Sequence, residues 1–153
     1  MTTLKRAVFA RHSNPLSAWS RWASIPLIAA PFWTRSKPVS ILVTGWMLMN
    51  PVIFPEPRTR SAWATRAMLG EEEWSSRPRR DRATAVNVAT TAAMAALVLG
   101  GRRRSWRIVV PAAGVQMGLV MWFWKLMADR YDRAAAQRTD QTERDPAAQD
   151  PAE

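Results

Sequence analysis

Four long stretches without a charged residue dominate this chain and restrict the folds that it can adopt. They run from Trp22 to Thr34, from Pro38 to Pro55, from Ala83 to Gly101 and from Ile108 to Trp124. A helix needs about 20 apolar residues to cross a bilayer, and three runs approach that length. Core helices of a water-soluble protein are the alternative, but 153 residues leave too little polar helix surface to cover four runs. The runs predict an all-α integral membrane protein, a four-helix bundle of two helical hairpins with a cytoplasmic interfacial helix.

The first run is the shortest, and its prolines complicate a simple crossing. A helix that starts at Pro15, capped by Ser13 or Asn14, gains the length of a span. Pro26 and Pro31 should kink that helix, so a half-inserted first segment is the alternative. The predicted divisions are a cytoplasmic N-terminus at 1–14, a membrane domain at 15–128 and a disordered acidic tail at 129–153, into which the last helix can continue to about Arg138. The membrane domain has spans at about 15–34, 38–55, 83–101 and 107–127 and an interfacial helix at about 59–74.

The basic residues lie mostly between the uncharged runs and predict which ends face the cytoplasm. The chain holds 22 Lys and Arg against 12 Asp and Glu, a formal net charge of +10. With four crossings and both termini inside, the cytoplasmic segments carry most of these cations, as the positive-inside rule favours. Three crossings, with the first run lying flat, give no such preference. The pattern predicts a multi-pass protein of the cell (plasma) membrane with cytoplasmic N- and C-termini.

The composition excludes several kinds of functional site. Cysteine is absent, which excludes disulfides, thiolate metal sites and cysteine nucleophiles. A single histidine, His12, excludes a His-rich metal site within one chain, and the sequence has no phosphate-binding Gly-rich motif. We therefore expect no cofactor. Because the positive charge is confined to gaps between apolar runs, the expected partner is the lipid bilayer, and nucleic acid is not expected.

Small residues at regular spacing mark the expected contacts of the last two spans. In lipid, helices associate through close approach of small side chains and through hydrogen bonds. Thr91 and Gln116 lie at similar depth and could share a hydrogen bond, while Gln116 points away from the glycine face of its helix. The fourth span therefore needs two contacts, which favours a bundle, a homodimer or a larger membrane complex. The expected packing residues are Ala92, Ala96, Gly100, Gly114 and Gly118.

Tryptophan and arginine recur together beside the apolar runs. Nine tryptophans in one chain are typical of the water–lipid boundary, where an indole has one apolar and one wet end. Trp63, Ala67, Gly70 and Trp74 recur on one helical face. We expect this interfacial helix to insert its indoles into the membrane surface and to keep its charges in water.

The stretches HSNPLSAWSRW, NPVIFPEP and AWATRAMLGEEEW contain three short motifs. Their residues are His12, Asn14, Pro15, Trp19 and Arg21, then Asn50, Pro51, Phe54, Pro55 and Pro57, then Trp63, Gly70, Glu71 and Trp74. Together they resemble a family of small membrane proteins of unknown function found in archaea and actinobacteria. The resemblance covers about the first half of the chain and implies membership without an activity.

The motif residues single out one candidate site at the cytoplasmic interface. An acid, a base and an arginine near lipid headgroups could bind phosphate or perform acid–base chemistry. The alternative is structural: the asparagines cap or end helices, the prolines set turns, and Glu71 forms an ion pair. The candidate interface cluster is His12, Asn14, Arg21, Asn50 and Glu71, with Glu56 beside it.

Three functions compete for this sequence. The leading one is a structural or accessory membrane subunit or scaffold with no catalytic residue. The second is a membrane-interface enzyme or a lipid-headgroup-binding protein that uses the interface cluster. The third, a small transporter, is disfavoured because no ionisable residue lies deep in the last three runs.

Overall fold

The regular structure of this chain is entirely helical in the part that can be described. The computed structural model describes residues 11–76 and 80–144, so the predicted segments at 1–10 and 145–153 lie outside it. The predicted all-α class is confirmed, and no strand occurs among the described residues. The helices are α1 (Pro15–Ala23), a 3-10 helix (Ile25–Ala29), α2 (Ala30–Thr34), α3 (Lys37–Ile53), α4 (Trp63–Ser76), α5 (Arg82–Arg102) and α6 (Trp106–Arg144).

The first apolar run forms three consecutive short helices instead of one. Asn14 caps α1, because its side-chain oxygen accepts a hydrogen bond from the amide of Leu16 at 2.8 Å, and Pro15 occupies the first turn. Pro26 lies in the first turn of the 3-10 helix, and Pro31 lies in the first turn of α2. A proline has no amide hydrogen to donate, so the α-helical bonding is interrupted where sequence reasoning expects it.

α3 runs back along this first segment and forms a helical hairpin with it. The indole Nε1 of Trp46 donates to Ser24 Oγ at 2.9 Å. Nearer the end of α3, the side chain of Asn14 donates to the carbonyl of Pro55 at 2.9 Å. Residues later in α3 therefore meet residues earlier in the first segment, which makes the two antiparallel.

α5 and α6 form a second antiparallel pair, joined by a short turn. Leu97 of α5 and Val109 of α6 lie in one buried apolar cluster near that turn. The 3-10 helix crosses the pair there, and its close approach needs a glycine. A Cβ on Gly101 would lie 2.7 Å from the carbonyl oxygen of Ala29.

The turns of the two hairpins lie at the same end of the molecule. The ring centroids of Trp33 and Trp106 are 4.4 Å apart, and Nε of Arg104 donates to the carbonyl of Trp33 at 2.8 Å. Arg35 and Arg104 have positive φ angles of 54° and 50° at these turns. A left-handed conformation costs a non-glycine residue about 1–2 kcal/mol, so the surrounding contacts must impose it.

α4 packs across α6 at the opposite end of the α5–α6 pair. Gly70 lies directly against the backbone of Met127, so a Cβ there would collide with the Met127 carbonyl oxygen. Trp74 meets Phe123 edge-on, with ring centroids 5.5 Å apart, and Ala67 is fully buried. The face that sequence reasoning expects to enter lipid packs on protein instead. Its small residues let the backbones of α4 and α6 meet.

α6 continues well beyond the last apolar run. The sequence predicts a helix to about Arg138 and disorder beyond it, whereas α6 extends without a break to Arg144. Lys125 pairs with Asp129 at 2.7 Å along the helix, and Arg66 of α4 pairs with Asp132 at 2.8 Å. Alanine, arginine and glutamine are also good helix formers, so the helix propagates past its packed part.

The predicted packing residues differ in what they contact. Gly100 is buried, Ala96 is half-buried and Ala92 is exposed. Nothing lies within 4 Å of a Cβ built on Gly114 or Gly118. The glycine pair therefore makes no close contact within the described chain, and a contact of these glycines with another chain stays a prediction.

The polar residues of the last two runs do not meet. Thr91 is exposed and donates to the carbonyl of Asn87 in its own helix at 3.0 Å. Gln116 is only 2% exposed, and its side-chain oxygen has no hydrogen-bond partner among the described residues. The predicted bond between Thr91 and Gln116 is absent because the two side chains face different surroundings.

Among the residues that the structure describes, two helices are long and apolar enough to cross a membrane. They are Arg82–Arg102 and Trp106–Gln141. Only 22% and 33% of their most apolar windows are buried inside the chain. A core helix of a soluble protein is largely covered, so the exposed apolar surface of these two helices is weakly compatible with a membrane location.

Replacing Gly70 by alanine should destabilise the fold, because the added methyl would collide with the Met127 backbone. We expect Gly70→Ala to lower the free energy of unfolding by about 1–3 kcal/mol, the usual cost of overpacking. Gly45→Ala is the matched control, since nothing lies within 4 Å of a Cβ there. Thermal unfolding in detergent, followed by near-UV circular dichroism, compares the variants. Equal midpoints would contradict a close contact at Gly70.

Candidate functional site

The five residues of the predicted interface cluster gather around α1 in two groups. Asn14 and Asn50 lie where α1 meets α3. His12 and Arg21 lie beside α4, which carries Glu71. The cluster is therefore two separate contacts that share one helix.

Asn50 is the centre of the group between α1 and α3. Its side chain is fully buried, its oxygen accepts from Ser17 Oγ at 2.9 Å, and its Nδ2 donates to Ser20 Oγ at 2.9 Å. A buried amide is costly unless it is hydrogen-bonded, and here both ends of the amide are bonded. These bonds hold α3 against α1.

Arg21 is the centre of the group between α1 and α4. Its Nη1 lies 2.8 Å from Nδ1 of His12, its Nε donates to the Ser17 carbonyl at 3.2 Å, and its Nη2 donates to the Met68 sulfur at 3.7 Å. A guanidinium only donates, so the facing nitrogen of His12 is the acceptor. Glu71 interacts with Arg21 electrostatically, but the ion pairs of the described residues do not join the two.

Burial disfavours the charged forms of both titratable neighbours of Arg21. Burial, reinforced by the charge of Arg21, lowers the pKa of His12 from 6.5 to about 4. Burial also raises the pKa of Glu71, against the opposing effect of Arg21. His12 is therefore uncharged at neutral pH and suited to accept a hydrogen bond from Arg21.

Ser17 connects the two groups through a single residue. Its hydroxyl donates to Asn50 and its carbonyl accepts from Arg21. Sequence patterns did not single out this residue, although a signal was present. Hydroxyl residues recur every three or four positions, which is one helical face. They are Ser13, Ser17, Ser20 and Ser24.

Four indoles surround the meeting point of α1, α4 and α6. Trp19 stacks on Trp63 with centroids 6.1 Å apart and meets Trp124 edge-on at 5.9 Å. Trp22 packs edge-on against Trp19 at 5.8 Å, and its Nε1 donates to the carbonyl of Met117 at 3.1 Å. Such aromatic pairs add roughly 0.5–1.5 kcal/mol each beyond burial, so they fix α1 on both helices.

The geometry of both groups suits helix attachment better than catalysis. Arg21 and Asn50 direct their polar atoms at other protein groups. Within residues 11–76 and 80–144, no three His, Asp or Glu side chains are arranged to hold a metal ion. Glu56, which sequence reasoning placed beside the cluster, lies exposed in the loop after α3. The chemical effect of the arrangement is to fix α1 against α3 and α4.

One sequence family covers nearly the whole chain. The family of unknown function DUF6653 matches residues 2–149. The chain belongs to this family. Searches of curated proteins and of solved structures give no match. The DUF6653 assignment agrees with the resemblance to a family of unknown function and brings no activity with it.

His12 should titrate far below neutrality. It is the only histidine in the sequence, so its ring signals need no further assignment. We expect NMR titration in detergent to give a pKa of about 4. Arg21→Gln should leave a smaller downward shift, because the burial persists without the charge, and Arg107→Gln should leave the pKa unchanged. A wild-type pKa near 6.5 would contradict the buried contact.

The pH dependence of the free energy of unfolding is a second test of the lowered pKa of His12. The unfolded chain binds a proton at His12 more readily than the folded one, so stability falls as pH decreases from about 6.5 towards 4. Glu71 has the opposite sign, because its raised pKa makes stability fall as pH rises above 4.5. Since Glu71 is present in both proteins, comparing wild type with His12→Gln isolates the acid slope of His12. Parallel slopes would contradict the prediction.

Proposed function

We propose that this protein is a small integral membrane protein with four crossings and a structural or accessory role. The observation that carries the proposal is the exposure of large apolar side chains around the helices. On α3, Ile41, Leu42 and Leu48 are 74%, 73% and 71% exposed. Val88 of α5 and Val110 of α6 are 63% and 62% exposed. A water-soluble monomer rarely leaves such a surface open, whereas lipid solvates it well.

The lengths of the two shorter segments support four crossings. The first segment has 9, 5 and 5 residues in its three helices, which extend about 30 Å when placed end to end. α3 has 17 residues and is about 26 Å long. The hydrocarbon core is about 30 Å thick, so each segment is long enough with modest adjustment at its ends.

The basic residues support an orientation with α4 and both termini in the cytoplasm. The segment between the two hairpins and the segment after the last apolar run hold more Lys and Arg than the two turns. α4 then lies at the cytoplasmic interface while packed on α6. The resulting location is the cell membrane, in a multi-pass arrangement.

An uncovered face of α6 supports the accessory role. Gly114 and Gly118 have open space beside them, and Val115 is 55% exposed on the same helix. Beside Gly114, an apolar groove of about 550 Å³ separates α6 from Trp33 and Leu27 of the first segment. Small residues on a lipid-facing helix allow another helix to approach closely. The proposed occupant is a second copy of this chain, with a larger complex as the alternative.

Two other functions have less support. Enzymatic or headgroup-binding use of His12, Arg21 and Glu71 needs an accessible site, but the guanidinium of Arg21 donates to protein groups on three sides. Transport needs a continuous polar path through the helices. Asn87 is exposed and Gln116 is buried, so these polar residues do not lie on one path.

Single cysteines in this cysteine-free chain test the four crossings. With an impermeant maleimide on intact cells, we expect Ser36→Cys and Ser105→Cys to react from outside, because they lie in the two turns. Ser75→Cys at the end of α4 should react only after permeabilisation. Ser17→Cys is the buried control and should stay unreacted. Reaction of Ser36→Cys and Ser75→Cys from the same side would refute the crossing by α3.

The mass of the particle in mild detergent tests the accessory role. We expect at least twice the 17.3 kDa of one chain by light scattering, and a shift to the monomer for Gly118→Ile, whose side chain would block close approach. Gly45→Ile is the control, since its position is equally open but lies on α3. A monodisperse wild-type monomer would refute self-association. Co-purification of a second protein would indicate a larger complex instead of self-association.

A further inference from the structure

A basic pocket lies between the start of α5 and the cytoplasmic part of α6 as oriented above. Its volume is about 300 Å³, and it is separate from the groups around α1. Three arginines, Arg82, Arg130 and Arg133, line it together with one carboxylate, Asp81. The local charge is therefore positive.

Asp81 is already committed to structural partners. Its Oδ1 accepts from the amide of Thr84 at 3.0 Å, which caps α5, and its Oδ2 pairs with Arg130 at 3.4 Å. Burial acts to raise the pKa of Asp81, but the Thr84 amide, other donors and Arg130 lower it more, so the carboxyl stays ionised. One carboxylate thus offsets one of the three arginines.

The other carboxylates on this part of α6 are paired away from the pocket. Asp129 pairs with Lys125 at 2.7 Å, and Asp132 pairs with Arg66 at 2.8 Å. In the described part of the chain, no ion pair joins Arg82 or Arg133 to a carboxylate. Two guanidinium groups at the pocket are therefore left without a neutralising partner there.

The floor of the pocket is apolar. Met127 is 1% exposed and Ala83 is 4% exposed, and Leu126 completes the lining. Cationic groups above an apolar floor match a ligand with an anionic head and a hydrocarbon portion. Arginine suits phosphate in particular, because its planar fork donates two parallel hydrogen bonds to neighbouring oxygens.

We propose that this pocket binds a phosphate ester group, held by Arg82 and Arg133 with Arg130 at its side. The source that fits the apolar lining is an anionic phospholipid whose chains lie along Leu126, the half-buried apolar residue of the pocket. Basic pockets between membrane helices on the cytoplasmic side bind lipid headgroups in this way. A soluble phosphate is the other source of the same chemistry.

Calorimetric titration of the full chain in maltoside micelles tests the pocket. The probes are dihexanoyl phosphatidylglycerol, inorganic phosphate and the zwitterionic dihexanoyl phosphatidylcholine. We expect phosphatidylglycerol to bind, and the double variant Arg82→Gln/Arg133→Gln to weaken its binding about tenfold or more, since two charge-assisted contacts are removed. The matched control is Arg103→Gln/Arg107→Gln, two exposed arginines near the α5–α6 turn, which should change affinity less than about twofold.

A variant that should bind more tightly controls for misfolding, because a misfolded protein would lose affinity instead of gaining it. Asp81→Asn keeps a helix-capping side chain but removes the one negative charge at the pocket, so we expect phosphatidylglycerol to bind severalfold more tightly. Preference for phosphatidylglycerol over inorganic phosphate assigns the pocket to lipid, and equal affinity assigns it to a soluble phosphate. Absence of binding by both anionic probes, or equal losses in the two double variants, would overturn the proposal. These outcomes do not depend on the number of crossings.

Discussion

Hydrogen bonds made by α1 and by the two residues before it attach α3, α4 and α6 to this one helix. Ser17 and Ser20 bond the buried amide of Asn50 on α3, and Trp22 bonds the backbone of α6. Thr65 of α4 bonds the carbonyl of Ser13, just ahead of α1. In the proposed membrane location, burial of apolar surface discriminates poorly between arrangements. Directional bonds and close backbone contacts then decide which helix lies beside which.

The same reasoning explains why a few polar residues are buried among apolar ones while large apolar side chains lie exposed along the helices. Asn50 and Thr65 are fully buried, whereas Ile41 and Leu42 on α3 are among the most exposed side chains. An unpaired polar group in hydrocarbon costs several kcal/mol, so in the proposed membrane location such groups turn inward to find partners. The proposed pocket between α5 and α6 differs, because its arginines face an open volume at the end of the helices.

Hydropathy and proline position predicted the helices far better than they predicted their contacts. The spans at 38–55 and 83–101 differ from Lys37–Ile53 and Arg82–Arg102 by two residues or fewer at each end. The packing face of each helix was harder to predict, because small residues occur on several faces. Gly114 and Gly118 look like a packing motif but lie open, while Gly70 carries the closest backbone contact. Which of these small residues makes a contact depends on partner residues that lie tens of positions away in the sequence.

For the candidate site, too, the sequence predicted which residues take part better than it predicted their contacts. The cluster residues do gather around α1, but the serines that bond to them were not predicted, although their helical spacing is visible in the sequence. The pairing of Asp132 was also not predicted, because its partner Arg66 lies on another helix. The helix was predicted only to about Arg138, because the composition beyond that residue resembles a disordered tail, whereas α6 continues to Arg144.

α6 is one continuous helix, so a force applied at its C-terminal end is transmitted along its length. The 16 residues at 129–144 project about 24 Å past the apolar part of the same helix, with no proline or glycine hinge between them. A protein bound to the C-terminal turns of α6 would transmit torque to the Met127 backbone, which contacts Gly70. The same torque would act on Arg130, which pairs with Asp81. A force on the last turns of α6 would thus reach both the α4 contact and the basic pocket through one continuous helix.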